Sequence, residues 1–152
     1  MPILPAATLK RIQKSYQSSY PMDVLEISPS GVCTDCKDPI SNLPVLINAR
    51  NYGLAEATRW GEPYIFFLLP NVISWIIPLV KGSETLGGLS GGTVLVEADP
   101  HDQFEIINHL TTSGCNRKTA EQYVKKLPVW LDREQPQKAA TFLFALTCCE
   151  LD

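Results

Sequence analysis

Histidine and methionine are what this chain has least of, and histidine is the scarcity that matters. His101 and His109 are its only two, which removes most acid–base catalysis and most zinc chemistry at the outset. Imidazole is the side chain that titrates near neutral pH and the commonest nitrogen ligand to a metal. The two stand eight positions apart, beyond the i, i+4 spacing that sets two ligands one helical turn apart, and no H-E-x-x-H occurs. Charge of one sign is missing too. Thirteen Lys and Arg face sixteen Asp and Glu, a formal net charge of -3, so no basic excess points to nucleic acid. Long apolar runs are absent. The most hydrophobic stretch, residues 64–80, is broken by Pro70-Asn71 and by Pro78, whereas a spanning helix needs roughly 20 apolar residues. Residues 1–7 lack the basic-then-apolar order of a secretory signal. These absences lead us to expect a cytoplasmic chain with no membrane partner. With 45% hydrophobic and 19% charged residues, the composition excludes disorder and fibrous rods. The 152 residues suit a single domain with a real core.

Five cysteines cannot complete a disulfide framework. Cys33 and Cys36 form a C-x-x-C, but a zinc site would want a second pair at suitable spacing. A thioredoxin-like motif would want a helix start directly after it, where Pro39-Ile40 and a loop follow. They read as reduced thiols in a loop, with no metal or cofactor implied.

The periodicity orders the chain clearly. Leu9, Ile12 and Tyr16 fall at helical spacing in residues 6–16, and residues 22–27 alternate as a strand before the Ser28-Pro29-Ser30-Gly31 turn. A helix fits residues 45–60, with Leu46, Ala49, Gly53, Ala57 and Trp60 on one side and Gly61 as its stop. Gly53 lowers helix propensity by roughly 1 kcal/mol relative to Ala, which suggests a close packing contact. Strands follow at 64–69, 72–80 and, through four glycines that imply a bend, 85–97. Short turns between them imply antiparallel pairing. Three helices close the chain, opened by Asp99-Pro100, Asn116 and Pro136. The last carries an apolar stripe of Ala139, Phe142, Leu143, Leu146 and Cys149 that reads as still wanting a partner. The order is α+β. In residues 64–69 the alternation sets Tyr64, Phe66 and Leu68 against Ile65, Phe67 and Leu69, both sets apolar, so helices must cover both faces of the sheet.

Gly88-Leu89-Ser90-Gly91-Gly92 matches G-x-S-x-G, but a nucleophile elbow needs a helix directly after it and a strand follows here. No Gly-Lys-Ser/Thr supplies a phosphate loop. The chain is therefore read as no enzyme. The clustered aromatics are the better clue, because small-molecule pockets are apolar, aromatic-lined and carry a few polar groups. The expected ligand contacts are Arg50, Trp60, Tyr64, Phe66, Trp75, Ile77 and Ser90, on the central sheet beneath the 45–60 helix.

Three phrases carry a resemblance. The first runs from Thr8-Leu9-Lys10-Arg11-Ile12 through Val24-Leu25-Glu26-Ile27-Ser28-Pro29-Ser30-Gly31. The second is Trp75-Ile76-Ile77-Pro78-Leu79-Val80-Lys81-Gly82 followed by Leu86-Gly87-Gly88-Leu89. The third is Tyr123-Val124-Lys125-Lys126-Leu127-Pro128-Val129 before an apolar helix. In this order they resemble the PocR-type ligand-sensing domain, a relative of the PAS and GAF sensor folds. The resemblance implies a PAS/GAF-like central antiparallel sheet with helices on both faces and a C-terminal helical segment. It implies a sensory domain of a transcription regulator or signalling protein, excised from a longer chain, that takes a small organic ligand such as a short diol or hydrocarbon derivative. DNA would be contacted only through a domain outside residues 1–152. Occupancy would be relayed through the last helix, with a homodimer formed there. The alternative is a dimerisation or interaction domain of the same fold with a solid core.

Overall fold

A computed structural model describes residues 3–34, 36, 39–96 and 99–151. In chain order the elements are α1 (Ala6–Gln17), β1 (Leu25–Ile27), α2 (Pro44–Trp60), β2 (Tyr64–Leu69), β3 (Val72–Lys81), β4 (Glu84–Leu95), α3 (Pro100–Thr112), α4 (Arg117–Lys126) and α5 (Gln135–Leu151). The four strands form one antiparallel sheet in the order β1-β4-β3-β2. The fold is α+β, with the PAS/GAF-like sheet flanked by helices.

The helix boundaries follow the local chemistry. Pro44 occupies the first turn of α2 and Gly61 ends it in the left-handed region. Asp99 accepts from the His101 amide at 2.8 Å and Asn116 from the Lys118 amide at 2.8 Å, satisfying donors that a helix start leaves unpaired. Residue 97, the expected end of the last strand, lies outside the described residues, as do residues 1, 2, 35, 37, 38, 98 and 152.

Period-two alternation on β3 divides the core. Val72 and Ile76 join Leu46, Leu54, Phe66, Ile106 and Val124 in a layer beneath α2, α3 and α4. Ile73, Trp75, Ile77 and Leu79 join Ile12, Tyr16, Ala139, Ala140 and Leu143 in a second layer against α1 and α5. The expected two-sided burial is observed, with two departures. A register shift between Phe67 and Leu69 carries Leu69 into the α2 layer beside Leu68, so the strict alternation fails there. Of the expected 22–27 strand only Leu25–Ile27 pairs, opposite Gly88–Ser90. Beyond Ser90 the partner strand bulges at Gly91-Gly92, opposite Trp75, and Met22 packs onto Gly92 instead of pairing. Glu26 is buried, and its carboxylate accepts the Ile3 and Leu4 amides at 3.1 and 2.8 Å.

The α5 stripe is already used. Ala139, Ala140, Leu143 and Thr147 are buried on the sheet and α1, and Phe142 stacks on Tyr16 at 6.2 Å between ring centroids. Cys149 is exposed. The stripe that seemed to want a partner thus finds most of its cover within the domain.

The sheet meets α1 through a buried polar relay in the second layer. The Trp75 indole N–H donates to the Tyr16 hydroxyl at 3.0 Å, which donates to the Gly91 carbonyl at 2.8 Å. Burial pushes the Tyr16 phenol well above its ordinary 10.0, against a smaller lowering from the Trp75 hydrogen bond. The unfolded chain ionises this phenol near pH 10 while the folded chain keeps it neutral. Its stabilising contribution is therefore complete below pH 10 and is lost as the pH rises from there toward the folded value. Urea midpoints measured from pH 8 to 11 should show wild type losing up to about 1.4 kcal/mol more per pH unit above 10 than Tyr16→Phe. Parallel alkaline limbs for the two proteins would refute the assignment.

Candidate functional site

The inward face of α2 is set by its spacing. Leu46, Arg50, Gly53, Leu54 and Ala57 all point to the sheet and are buried. Gly53 is where the helix comes nearest to β2, since a β-carbon there would sit 2.7 Å from the Phe66 ring. This is the close contact its position suggested. Toward the N-terminal half of α2 the helix and the sheet part around a cavity of about 180 Å³. Its floor is the sheet, through Leu25 and Ile27 of β1, Ser74 of β3, Ser90 and Thr93 of β4 and Leu68 of β2. Its walls are Ser41, Leu46 and Arg50, and α4 with the residue after it closes the end through Tyr123 and Leu127. Tyr123 also borders an open groove of about 250 Å³ formed with Pro39, Ile40, Thr119, Gln122 and Lys126. Tyr123 therefore lines both spaces.

Three polar groups face one another across this apolar space. The Ser74 hydroxyl donates to the Gly92 carbonyl at 2.7 Å and lies 3.3 Å from the Ser90 hydroxyl. Both serines are buried. Opposite them, Arg50 is only 5% exposed. Its Nε donates to the Gly31 carbonyl at 2.9 Å, and its Nη2 donates to the Ser41 carbonyl and to Asn42 Oδ1, the latter at 3.3 Å. A guanidinium out of water needs such partners, because its desolvation is costly. Gly31 is built for the arrangement. Its φ is +92°, and a β-carbon there would lie 2.6 Å from the Ile47 carbonyl of α2, so only glycine brings its carbonyl this near the helix.

Seven residues were expected to form the site, and the structure brings two of them, Arg50 and Ser90, into the cavity. Phe66 lies on the same face but packs on Gly53. Tyr64 is half-buried and meets Tyr52 edge-on at 6.1 Å. Trp75 and Ile77 occupy the opposite layer, against α1 and α5, because odd positions of β3 point away from α2. Trp60 is 62% exposed at the last residue of α2, with its indole N–H on Glu56 at 3.2 Å and the Arg59 guanidinium 5.1 Å above its ring. Ser74, Thr93, Ser41 and Tyr123 were not anticipated. For Ser74 a signal existed: it is a polar residue on the even face of an otherwise apolar strand.

The sulfur chemistry differs from expectation. Cys33 and Cys36 are joined as a disulfide, with Cα atoms 5.6 Å apart, a separation ordinary for such bonds. The reading as reduced thiols is corrected accordingly: the loop folds back on β1 through an Ile27–Cys33 bridge and brings the two side chains together. The G-x-S-x-G phrase lies inside β4, with no strand-to-helix turn. His101 pairs with Glu105 at 3.4 Å on the surface of α3. Among the described residues no group of three His, Cys, Asp or Glu could hold a metal, and no helix is long and apolar enough to cross a membrane.

Neither the curated proteins nor the solved structures contain a match to this chain. The family defined by the sensory domain found in PocR does match it, over residues 4–149. That span covers both core layers and every residue lining the cavity, and the chain belongs to the PocR sensory domain family.

Proposed function

We propose that this sensory domain binds a small organic molecule in the cavity between α2 and the sheet and signals occupancy through α5. The observation that carries the reading is the meeting of Arg50, Ser74 and Ser90 around about 180 Å³ of space whose other lining is mostly aliphatic. Drug-sized ligands fill pockets of roughly 300–1,000 Å³, and a water occupies about 30 Å³ in the liquid. The volume therefore suits a molecule of only a few non-hydrogen atoms, such as a short alcohol, diol or acid. Since the Ser74 proton goes to Gly92, Ser90 supplies the proton between the two serines and keeps lone pairs with which to accept from a ligand.

In this reading the domain works by binding, with Ser90 held in a strand interior beside another serine. The relay has a direct mechanical route. Alternate residues of β3 touch the cavity, at Ser74, and the α5 layer, at Trp75 and Ile77. A ligand shifts α5, or a homodimer formed on it, only by its differential affinity for two arrangements.

A thermal-shift screen of small alcohols, diols, carboxylic acids and sugars tests the proposal. A binder present at a hundred times its Kd stabilises by about 2.7 kcal/mol. Ser90→Val, which removes the hydroxyl and fills space, is expected to weaken the best compound by tenfold or more, about 1.4 kcal/mol, in calorimetric titration. If no compound raises the melting temperature, or if Ser90→Val binds as wild type does, the cavity is not the sensing site.

A further inference from the structure

Cys33 lies behind the cavity wall and is tied to it through Asn42 and Ile27. Asn42 clasps its backbone from both sides, accepting the Cys33 amide at 2.9 Å and donating to the Cys33 carbonyl at 3.0 Å. The same Asn42 Oδ1 accepts from Arg50 at 3.3 Å, and the neighbouring Ser41 carbonyl accepts from Arg50 as well. Cys33 also bridges to Ile27, which lines the cavity floor. On the other side of the bond, Cys36 leads to Pro39 and Ile40, which border the outer groove beside Tyr123. The disulfide thus joins the segment bonded to β1 with the segment that carries Ser41 and Asn42 to Arg50.

The C-x-x-C ring is too short for the bond to be a general staple, since the stabilisation from loop closure shrinks with loop length. Its accessibility is one-sided. Cys33 is 2% exposed and Cys36 is half-buried, so a reductant reaches Cys36 Sγ first.

We propose that Cys33 and Cys36 form a thiol–disulfide exchange site whose oxidised state holds the Ser41–Arg50 wall of the cavity firm and whose reduced state loosens it. The reaction partner is a low-molecular-weight or protein dithiol. Its thiolate attacks Cys36 Sγ, the Cys33–Cys36 bond breaks, and Cys33 leaves as a thiolate that takes up a proton. The partner's second thiol then displaces Cys36 from the mixed disulfide. The two electrons end on Cys33 and Cys36 as thiols, and the partner leaves as its own disulfide. The consequence for sensing rests on the cavity being the ligand site, as proposed above.

The test uses the full chain, equilibrated with oxidised or reduced dithiothreitol. Alkylation followed by peptide mass spectrometry should find Cys33 and Cys36 unmodified in the oxidised sample and both modified in the reduced one, with the exposed Cys148 and Cys149 labelled in each. Hydrogen exchange should then quicken about tenfold across residues 39–50 on reduction, with β3 and α5 unchanged. Cys36→Ser should show the fast pattern in both samples. Propane-1,2-diol, used as a small probe, should bind the reduced form more weakly by about tenfold. Alkylation of both cysteines in the oxidised sample, or equal exchange across residues 39–50 in the two states, overturns the proposal. An exchange difference without any binding by a compound of the screen keeps the redox site and refutes the ligand reading instead.

Discussion

Replacing Trp75 with alanine is expected to cost about 3–5 kcal/mol and to lower the melting temperature by about 6–20 °C for a chain of this size. The indole has no exposed surface. It stacks on Trp130 at 5.3 Å between centroids with 19° between planes, and it lies along the β4 bulge so tightly that a β-carbon on Gly91 would run into its ring nitrogen. Alanine removes the stack and opens a large void, while the Tyr16 hydroxyl loses one partner and keeps its bond to Gly91. Trp75→Phe keeps an aromatic ring but loses the N–H and three ring atoms, for a smaller cost of about 1–3 kcal/mol. Urea denaturation separates the two variants. A ligand-contact role would show the opposite profile, with near-normal stability and lost binding. An alanine variant within 1 kcal/mol of wild type would therefore return the indole to the ligand.

Trp75 also shows where sequence reasoning succeeds and where it stops. The apolar alternation of β2 led to the expectation that both sheet faces are covered, and the glycines of β4 located its bend. What alternation does not label is which parity faces which helix. That depends on how α1, α2 and α5 return to the sheet, a matter of contacts distant in sequence. The aromatic cluster was therefore read as one surface when Phe66 and Trp75 belong to opposite layers. Arg50 was legible as a polar ligand contact on α2 but not as a buried, loop-bonded side chain. Among the described residues its burial draws on acceptors of Gly31, Ser41 and Asn42, and no local pattern announces carbonyl partners. The same holds for the disulfide, since a C-x-x-C reads alike whether its loop folds back on a strand or hangs free. Ser74 is the contrary case. A hydroxyl on the core face of a strand must find a partner, and that rule alone would have placed it beside Ser90 or a ligand.

Arg50→Met carries the other large effect. Methionine keeps much of the stem that packs beneath α2 but removes every N–H. The Gly31 carbonyl then loses its Arg50 donor in the interior, and the Ser41 carbonyl and Asn42 Oδ1 each lose one donor. Each buried acceptor left unsatisfied costs about 1–3 kcal/mol, so the variant should lose about 2–5 kcal/mol in urea denaturation, with the loss concentrated in the loop over residues 31–42 by hydrogen exchange. Arg50→Lys separates charge from geometry. A single ammonium preserves the positive charge, but it lacks the planar fork that serves Gly31 through Nε and the other two acceptors through Nη2. Lysine should therefore recover less than half of the methionine loss. Full recovery by lysine would mean that charge, not the fork, is what the site needs. The two variants also separate building the cavity from contacting the ligand. If Arg50 acts only by holding the wall, affinity for the best compound of the thermal-shift screen should fall in step with the loosening of residues 31–42. If its guanidinium touches the ligand as well, Arg50→Lys should lose binding by more than the loop's exchange accounts for.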